Sequence, residues 1–94
     1  MVKIVGKLAQ RRLLNEINPP SLPDNDVIAP SVVQVLVDTA GNVVSAVLLT
    51  PSGFDAANQR ALTLARTARF SPSASLTIGR MIFTWHTVPP NASL

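Results

Sequence analysis

Two alternating runs of residues joined by a short turn constrain the fold of this chain most strongly. In the first run, SVVQVLVD at residues 31–38, every second residue from Val33 to Val37 is valine, as expected for a strand with one buried face. The second run, VVSAVLLT, occupies residues 43–50. Gly41 and Asn42, which lie between the runs, tolerate positive φ angles. The sequence therefore predicts an antiparallel β-hairpin.

A helical pattern follows the hairpin. Pro51 and Gly53 end the second strand, and Ser52 and Asp55 have the spacing of a capping box. Small and apolar residues then recur at helical spacing and form one narrow stripe, which consists of Ala57, Ala61, Leu64, Ala65 and Ala68. We predict a helix over residues 54–69, with its alanines packed closely against the sheet.

Residues 80–88 have the alternation of a last strand, with Met81, Phe83 and Trp85 on one face. A right-handed crossover from the helix places this strand beside strand 31–38. The predicted fold class is α+β, an antiparallel three-stranded sheet in the order 43–50, 31–38, 80–88 with one long helix packed on one face. Trp85, the single tryptophan, is expected in the core more readily than on a contact surface.

Composition limits the size and class of the protein. With 94 residues and four aromatic side chains, three Phe and one Trp, the chain has room for one domain with an aliphatic core. The absence of cysteine fits the cytosol and the bacterial periplasm equally well. The longest apolar region alternates with polar residues and is not a membrane span, so we expect no membrane anchor in this chain. The start also lacks a signal peptide, which favours excision from a longer protein.

Residues 1–30 are expected to form a basic and proline-rich arm, and residues 31–94 the domain. The first twelve residues contain four of the eight cations, whereas the rest of the chain has four cations and five acids. Residues 2–8 alternate loosely, as a short strand does, and Ala9, Leu13 and Ile17 share one face of an alternative short helix. The arm lacks interleaved aromatic residues, and we do not expect nucleic-acid binding.

No catalytic, cofactor or metal signature is present in the sequence. His86 could join Ser52 and Asp55 in a nucleophilic triad, but the serine and the aspartate are better explained as a helix cap. We therefore expect no catalytic residue, no cofactor and no enzyme activity. The strongest functional feature is the last strand, because an exposed edge presents unpaired backbone groups that can capture an extended peptide. Residues 2–8 are the candidate cover for that edge. Two alternatives stay open: the edge binds a partner, or it is protected by this part of the chain.

Taken as a set, these motifs resemble the C-terminal domain of the TonB family of periplasmic energy transducers, over residues 31–86. The resemblance is carried by the hairpin with Val33–Asp38 and Gly41–Val47, by Ser52–Gly53, by the helix and Phe70-Ser-Pro72, and by Gly79 followed by the alternating Phe83–Trp85. It implies a periplasmic protein-binding module, cut from a protein with an inner-membrane anchor elsewhere. By the resemblance, the docking strand for an outer-membrane receptor peptide is Arg80, Met81, Ile82, Phe83, Thr84, Trp85, His86 and Thr87.

Two alternatives belong to other classes of function. A TonB-like domain could use the same edge strand for self-association, as a homodimer or scaffold in the envelope. The basic arm could instead bind a polyanion through Lys3, Lys7, Arg11 and Arg12, with steeply salt-dependent affinity.

Overall fold

The computed structural model describes residues 1–89 as an α+β fold. Within these residues, six strands, one α-helix and one 3₁₀ helix follow each other. In chain order they are β1 (Val2–Val5), the 3₁₀ helix (Lys7–Gln10), β2 (Leu22–Pro23), β3 (Ser31–Val37), β4 (Val43–Thr50), α1 (Asp55–Thr67), β5 (Thr77–Phe83) and β6 (Thr87–Val88).

The main sheet has four strands in the order β1-β5-β3-β4, and all neighbours are antiparallel. The predicted order of the hairpin and the last strand is therefore confirmed. The predicted count of three strands is wrong, because residues 2–5 of the arm add a fourth strand beside β5. β2 and β6 form a separate parallel pair.

One face of the sheet carries the core. The residues of β3 at odd positions, Ser31 to Val37, are fully buried, which is the alternation that the sequence predicts. Four helix-side alanines, Ala57, Ala61, Ala65 and Ala68, are buried against this face. Their small side chains bring α1 close to the sheet, and Phe70, Met81, Phe83 and Leu8 fill the space around it.

The helix is shorter than predicted at both ends. Its N-cap is Phe54, and no side chain caps it, so the capping box of Ser52 and Asp55 is wrong. At the other end Ala68 is extended, and Arg69 and Phe70 form isolated bridges with Asn42 and Leu13. Because these bridges and the hydrogen bond from the backbone N of Arg69 to Asn15 Oδ1 use the backbone, another helical turn is not available.

The turn between β3 and β4 depends on Gly41, which has a φ of 100°. A Cβ atom at this position would meet the carbonyl oxygen of Phe70. The backbone N of Phe70 donates to Gly41 O at 2.9 Å, so the hairpin turn and the end of the helix lie against each other. Gly41 therefore serves both the turn geometry and this close approach.

The last strand differs most from its prediction. β5 begins at Thr77 and ends at Phe83, and Thr84, Trp85 and His86 leave the sheet before the short β6. The backbone N of Leu22 donates to His86 O at 2.9 Å, so the proline-rich arm pairs with this departing segment. The single strand predicted over 80–88 is therefore two strands that pair with different parts of the arm.

Candidate functional site

The predicted docking residues lie in three structural settings. Arg80, Met81, Ile82 and Phe83 belong to β5; Thr84, Trp85 and His86 connect the strands; and Thr87 begins β6. Met81, Phe83 and Trp85 are buried, whereas Arg80, Thr84 and His86 are exposed. Side-chain contacts with a partner along this segment are therefore restricted to the exposed residues and the half-buried Ile82 and Thr87.

Trp85 is a core residue, as predicted, and is 5% exposed. Its ring stacks on Phe83, with the ring centroids 5.9 Å apart and the planes 16° from parallel. Its indole Nε1 donates to Ser31 Oγ at 2.9 Å. The tryptophan therefore holds the departing segment against the first residue of β3 and is not part of a contact surface.

A buried polar cluster continues from this tryptophan. Ser31 Oγ donates to Asn58 Oδ1 at 3.1 Å, and the backbone N of Ser52 donates to the same oxygen at 2.9 Å. The hydroxyl of Ser52 also lies 2.9 Å from it. Sequence reasoning missed Asn58, because an asparagine within a helical pattern looks like a solvent-facing residue. Its side chain instead joins the start of α1 to β3 and to the segment after β4.

The outer edge of β5 is occupied by β1. Val2 pairs with Phe83, Lys3 with Ile82, Ile4 with Met81 and Val5 with Arg80. Beyond the strand end, the N-terminal ammonium of Met1 donates to Thr84 O at 3.1 Å and the backbone N of Thr84 donates to Met1 O at 2.9 Å. The expectation that the last strand is an edge is therefore wrong, and residues 2–5 are its cover.

The alternation of hydrogen bonds between β1 and β5 shows which backbone groups of β5 are paired with β1. Because Met1 and Thr84 exchange both hydrogen bonds, Ile82 and Arg80 also direct their N–H and C=O groups towards β1, while Met81 and Phe83 direct theirs towards β3. Strand addition at this position therefore requires that β1 leaves. The loose alternation of residues 2–8 was the signal in the sequence for this strand.

The attachment of β1 is small. It is four residues long, it pairs with β5 alone, and none of its side chains is fully buried. Gly6 follows with a φ of 85° and ends the strand. Val2 and Ile4 are partly buried against the core. A short strand held by one ladder and followed by glycine nevertheless has few contacts to lose on local opening.

β4 forms the opposite edge of the sheet. Its eight residues, VVSAVLLT, contain neither a charged residue nor a proline, the usual features that prevent edge pairing. The register shifts at both ends of its ladder with β3, between Val32 and Val33 and between Leu36 and Val37, bend the strand locally. Val47, near its middle, is 53% exposed.

The sheet face opposite α1 is partly exposed to solvent within the described residues. Register places Ile78 next to Leu36 and Arg80 next to Gln34 on this face. Ile78 and Leu49 are 51% and 47% exposed. These side chains form a mixed apolar and cationic surface.

The four cations of the arm do not form one continuous basic surface. Lys3 lies in β1, Lys7 begins the 3₁₀ helix, and both are exposed. Arg12 is exposed, whereas Arg11 is 9% exposed and donates to the carbonyl oxygens of Asp38 and Ser75. A polyanion would therefore meet Lys3, Lys7 and Arg12, and this alternative stays a prediction.

The three residues of the alternative triad have other surroundings. Ser52 is buried, and its hydroxyl accepts from the backbone N of Phe54 at 3.1 Å. Asp55 is exposed in the first turn of α1, and His86 is exposed on the departing segment. Ser52 Oγ is thus a structural hydrogen-bonding group at the helix start.

The pKa of the Asp38 carboxylate is shifted from its ordinary value. The backbone N of Asn42 donates to Asp38 Oδ1 at 2.8 Å. This hydrogen bond, with further donors from the same turn, lowers the pKa of Asp38. The ionised form of Asp38 thus favours the closed turn between β3 and β4.

Comparisons with protein-family models, with curated proteins and with solved structures found no match. No helix within residues 1–89 has the length and apolar character needed to cross a membrane.

Proposed function

We propose that the chain is a periplasmic protein-binding module that resembles the TonB C-terminal domain. It pairs the segment Arg80–Thr87 with an extended peptide of an outer-membrane receptor, and the pairing serves energy transduction for transport. The observation that carries the proposal is the outer ladder of β5, which is closed by a strand of only four residues. Displacement of β1 presents the backbone groups of Arg80, Ile82 and Thr84 to an incoming strand.

β1 then acts as an intramolecular competitor. An incoming peptide replaces the ladder of Val2–Val5 with an equivalent ladder, so backbone hydrogen bonds alone provide little net affinity. Backbone groups beyond Thr84 are already paired with the arm, since the backbone N of Leu22 donates to His86 O and β6 pairs with β2. Additional affinity therefore comes from side-chain contacts at the exposed Arg80, Thr84 and His86. Only the open form, from which β1 has left, can bind the peptide. The apparent dissociation constant is therefore the intrinsic one divided by the fraction of molecules in the open form.

A titration with three variants tests this proposal. Peptides from the N-terminal segments of outer-membrane receptors are added to the labelled chain, and backbone amide shifts are followed by NMR. Lys3→Pro removes the N–H that β1 directs to Ile82 and is expected to strengthen binding; Lys3→Ala removes the same side chain but keeps that N–H. Thr84→Pro removes a donor of the docking strand and is expected to weaken binding. Equal affinities for all three variants contradict the proposal.

A second candidate function is self-association through β4. The observation that favours it is the uncharged and proline-free edge of eight residues. Isologous pairing of two such edges would extend the sheet across a two-fold axis. Sedimentation of the chain with Val47→Lys tests this candidate, since a lysine on an edge opposes pairing. Val27→Lys, at a position that is 90% exposed in the arm, is the matched control.

A further inference from the structure

A cavity of about 480 Å³ lies between the 3₁₀ helix, Arg11 and the loop that precedes β5. Its volume is within the range typical of small-molecule sites. Among the described residues that line it, none carries a carboxylate. Its charged and hydroxyl-bearing lining consists of Lys7, Arg11, Ser71, Ser73, Ser75 and Thr77. The cavity thus offers positive charge and hydroxyl donors without a competing negative charge.

The burial of Arg11 distinguishes this cavity from an ordinary surface recess. The side chain is 9% exposed. Nη1 donates to Asp38 O at 2.8 Å and Nη2 donates to Ser75 O at 2.7 Å. Nε is buried and has no hydrogen-bond partner within residues 1–89. Two neutral carbonyl groups do not compensate a buried positive charge, which needs a negative partner.

We propose that this cavity, here called the Arg11 cavity, binds a small oxyanion, namely the carboxylate or phosphate group of a low-molecular-weight ligand. A guanidinium and an ammonium group that line one cavity suit a charge-assisted contact with such an anion. The hydroxyl groups of Ser71, Ser73 and Ser75 supply further donors, whereas that of Thr77 donates to Ser75 O. Bound anion compensates the charge of Arg11 and draws the exposed Lys7 towards the loop.

The apolar part of the lining narrows the ligand class. Leu76 and Ile78 line the same cavity and are 57% and 51% exposed. A ligand with a short apolar body next to its anionic group covers these side chains, whereas a bare ion leaves them in water. The ligand is therefore an amphiphilic small molecule with one oxyanion group.

NMR titration of the whole chain tests this inference. Sodium isovalerate and sodium phosphate are added separately, with chloride adjusted to keep the ionic strength constant. The readouts are the backbone amides of residues 7–12 and 71–78 and the Nε–H signal of Arg11. Saturable shifts at these sites are expected with both probes. Tighter binding of isovalerate than of phosphate supports the apolar wall, and the reverse order overturns that part of the inference.

Two lysine variants separate a built site from general charge screening. Lys7→Gln removes a cation that lines the cavity and is expected to weaken binding about tenfold. Lys3→Gln removes a cation that lies outside the lining and is expected to leave binding unchanged. Arg11→Lys keeps the charge but loses the guanidinium fork, and circular dichroism checks that it folds. Shifts that do not saturate, or equal weakening by Lys7→Gln and Lys3→Gln, overturn the proposal.

Discussion

Trp85 Nε1 donates a hydrogen bond of 2.9 Å to Ser31 Oγ, and both groups are buried. The bond joins the segment that leaves the sheet after β5 to the first residue of β3. Ser31 in turn donates to Asn58 Oδ1 at 3.1 Å, so three elements that are distant in sequence share one polar cluster. This cluster fixes the point at which the predicted docking segment departs from the sheet.

Ser31→Ala is expected to destabilise the fold by about 1–3 kcal/mol, because it leaves the indole N–H of Trp85 buried without an acceptor. The free energy of unfolding is measured in urea, with the fluorescence of the single tryptophan as the probe. Ser45→Ala, at an exposed position of β4, is the matched control and is expected to change stability by less than about 0.5 kcal/mol. Equal effects of the two substitutions contradict a stabilising role for this cluster.

Gly41→Ala and Gly53→Ala are expected to differ. Both glycines have a positive φ, of 100° and 83° respectively. An added Cβ meets Phe70 O at Gly41 and nothing within 4 Å at Gly53. Gly53→Ala therefore costs only the backbone strain of about 1–2 kcal/mol. Gly41→Ala adds a clash with backbone and costs about 3 kcal/mol or more. Thermal unfolding of both variants measures the difference.

Stability is expected to fall in acid through Asp38. Its pKa is lowered in the folded chain, first by the hydrogen bond from the backbone N of Asn42. A lowered pKa contributes stability above the unfolded-state pKa, and this contribution is lost as the pH falls through the folded-state pKa. Asp38→Asn should therefore be less stable than the wild type near neutral pH and approach it in strong acid. Urea unfolding over that pH range tests this.

Asp26→Asn is the control for this pH series, since it removes the same charge at an exposed position of the arm. If both substitutions change the pH dependence of stability equally, the effect comes from net charge. That result would contradict a specific role for Asp38 in the turn.

Because β1 covers β5, we predict a specific pattern of hydrogen exchange at the backbone amides next to it. In Lys3→Pro, β1 loses the N–H directed to Ile82, so the amides of Ile82 and Thr84 are expected to exchange faster than in the wild type. The amides of Met81 and Phe83 face β3 and should keep their protection. Hydrogen exchange followed by NMR measures all four. Equal acceleration of all four amides would mean that β5 opens as a whole, which contradicts local release of β1.

Sequence reasoning predicted the hairpin and the helix well because their signals are local. The alternating valines of β3, the glycine of the turn and the alanine stripe of α1 each lie within a short stretch of chain, and periodicity specifies which face is buried. The details at the helix ends were wrong because Asn58 and Asn15 satisfy backbone groups from other parts of the fold. Such contacts leave no periodic signal.

The sequence by itself determined the strand and helix types between residues 31 and 83 and the order of the three predicted strands, and it favoured the burial of Trp85. Only the tertiary structure decided that β1 covers β5, that the last strand ends at Phe83 and that Arg11 is buried. Met1 and Thr84 are 83 positions apart in the chain. Strand pairing over such a distance uses backbone groups that every residue has, so side-chain patterns made residues 2–8 a candidate cover but did not decide between use and protection of the edge.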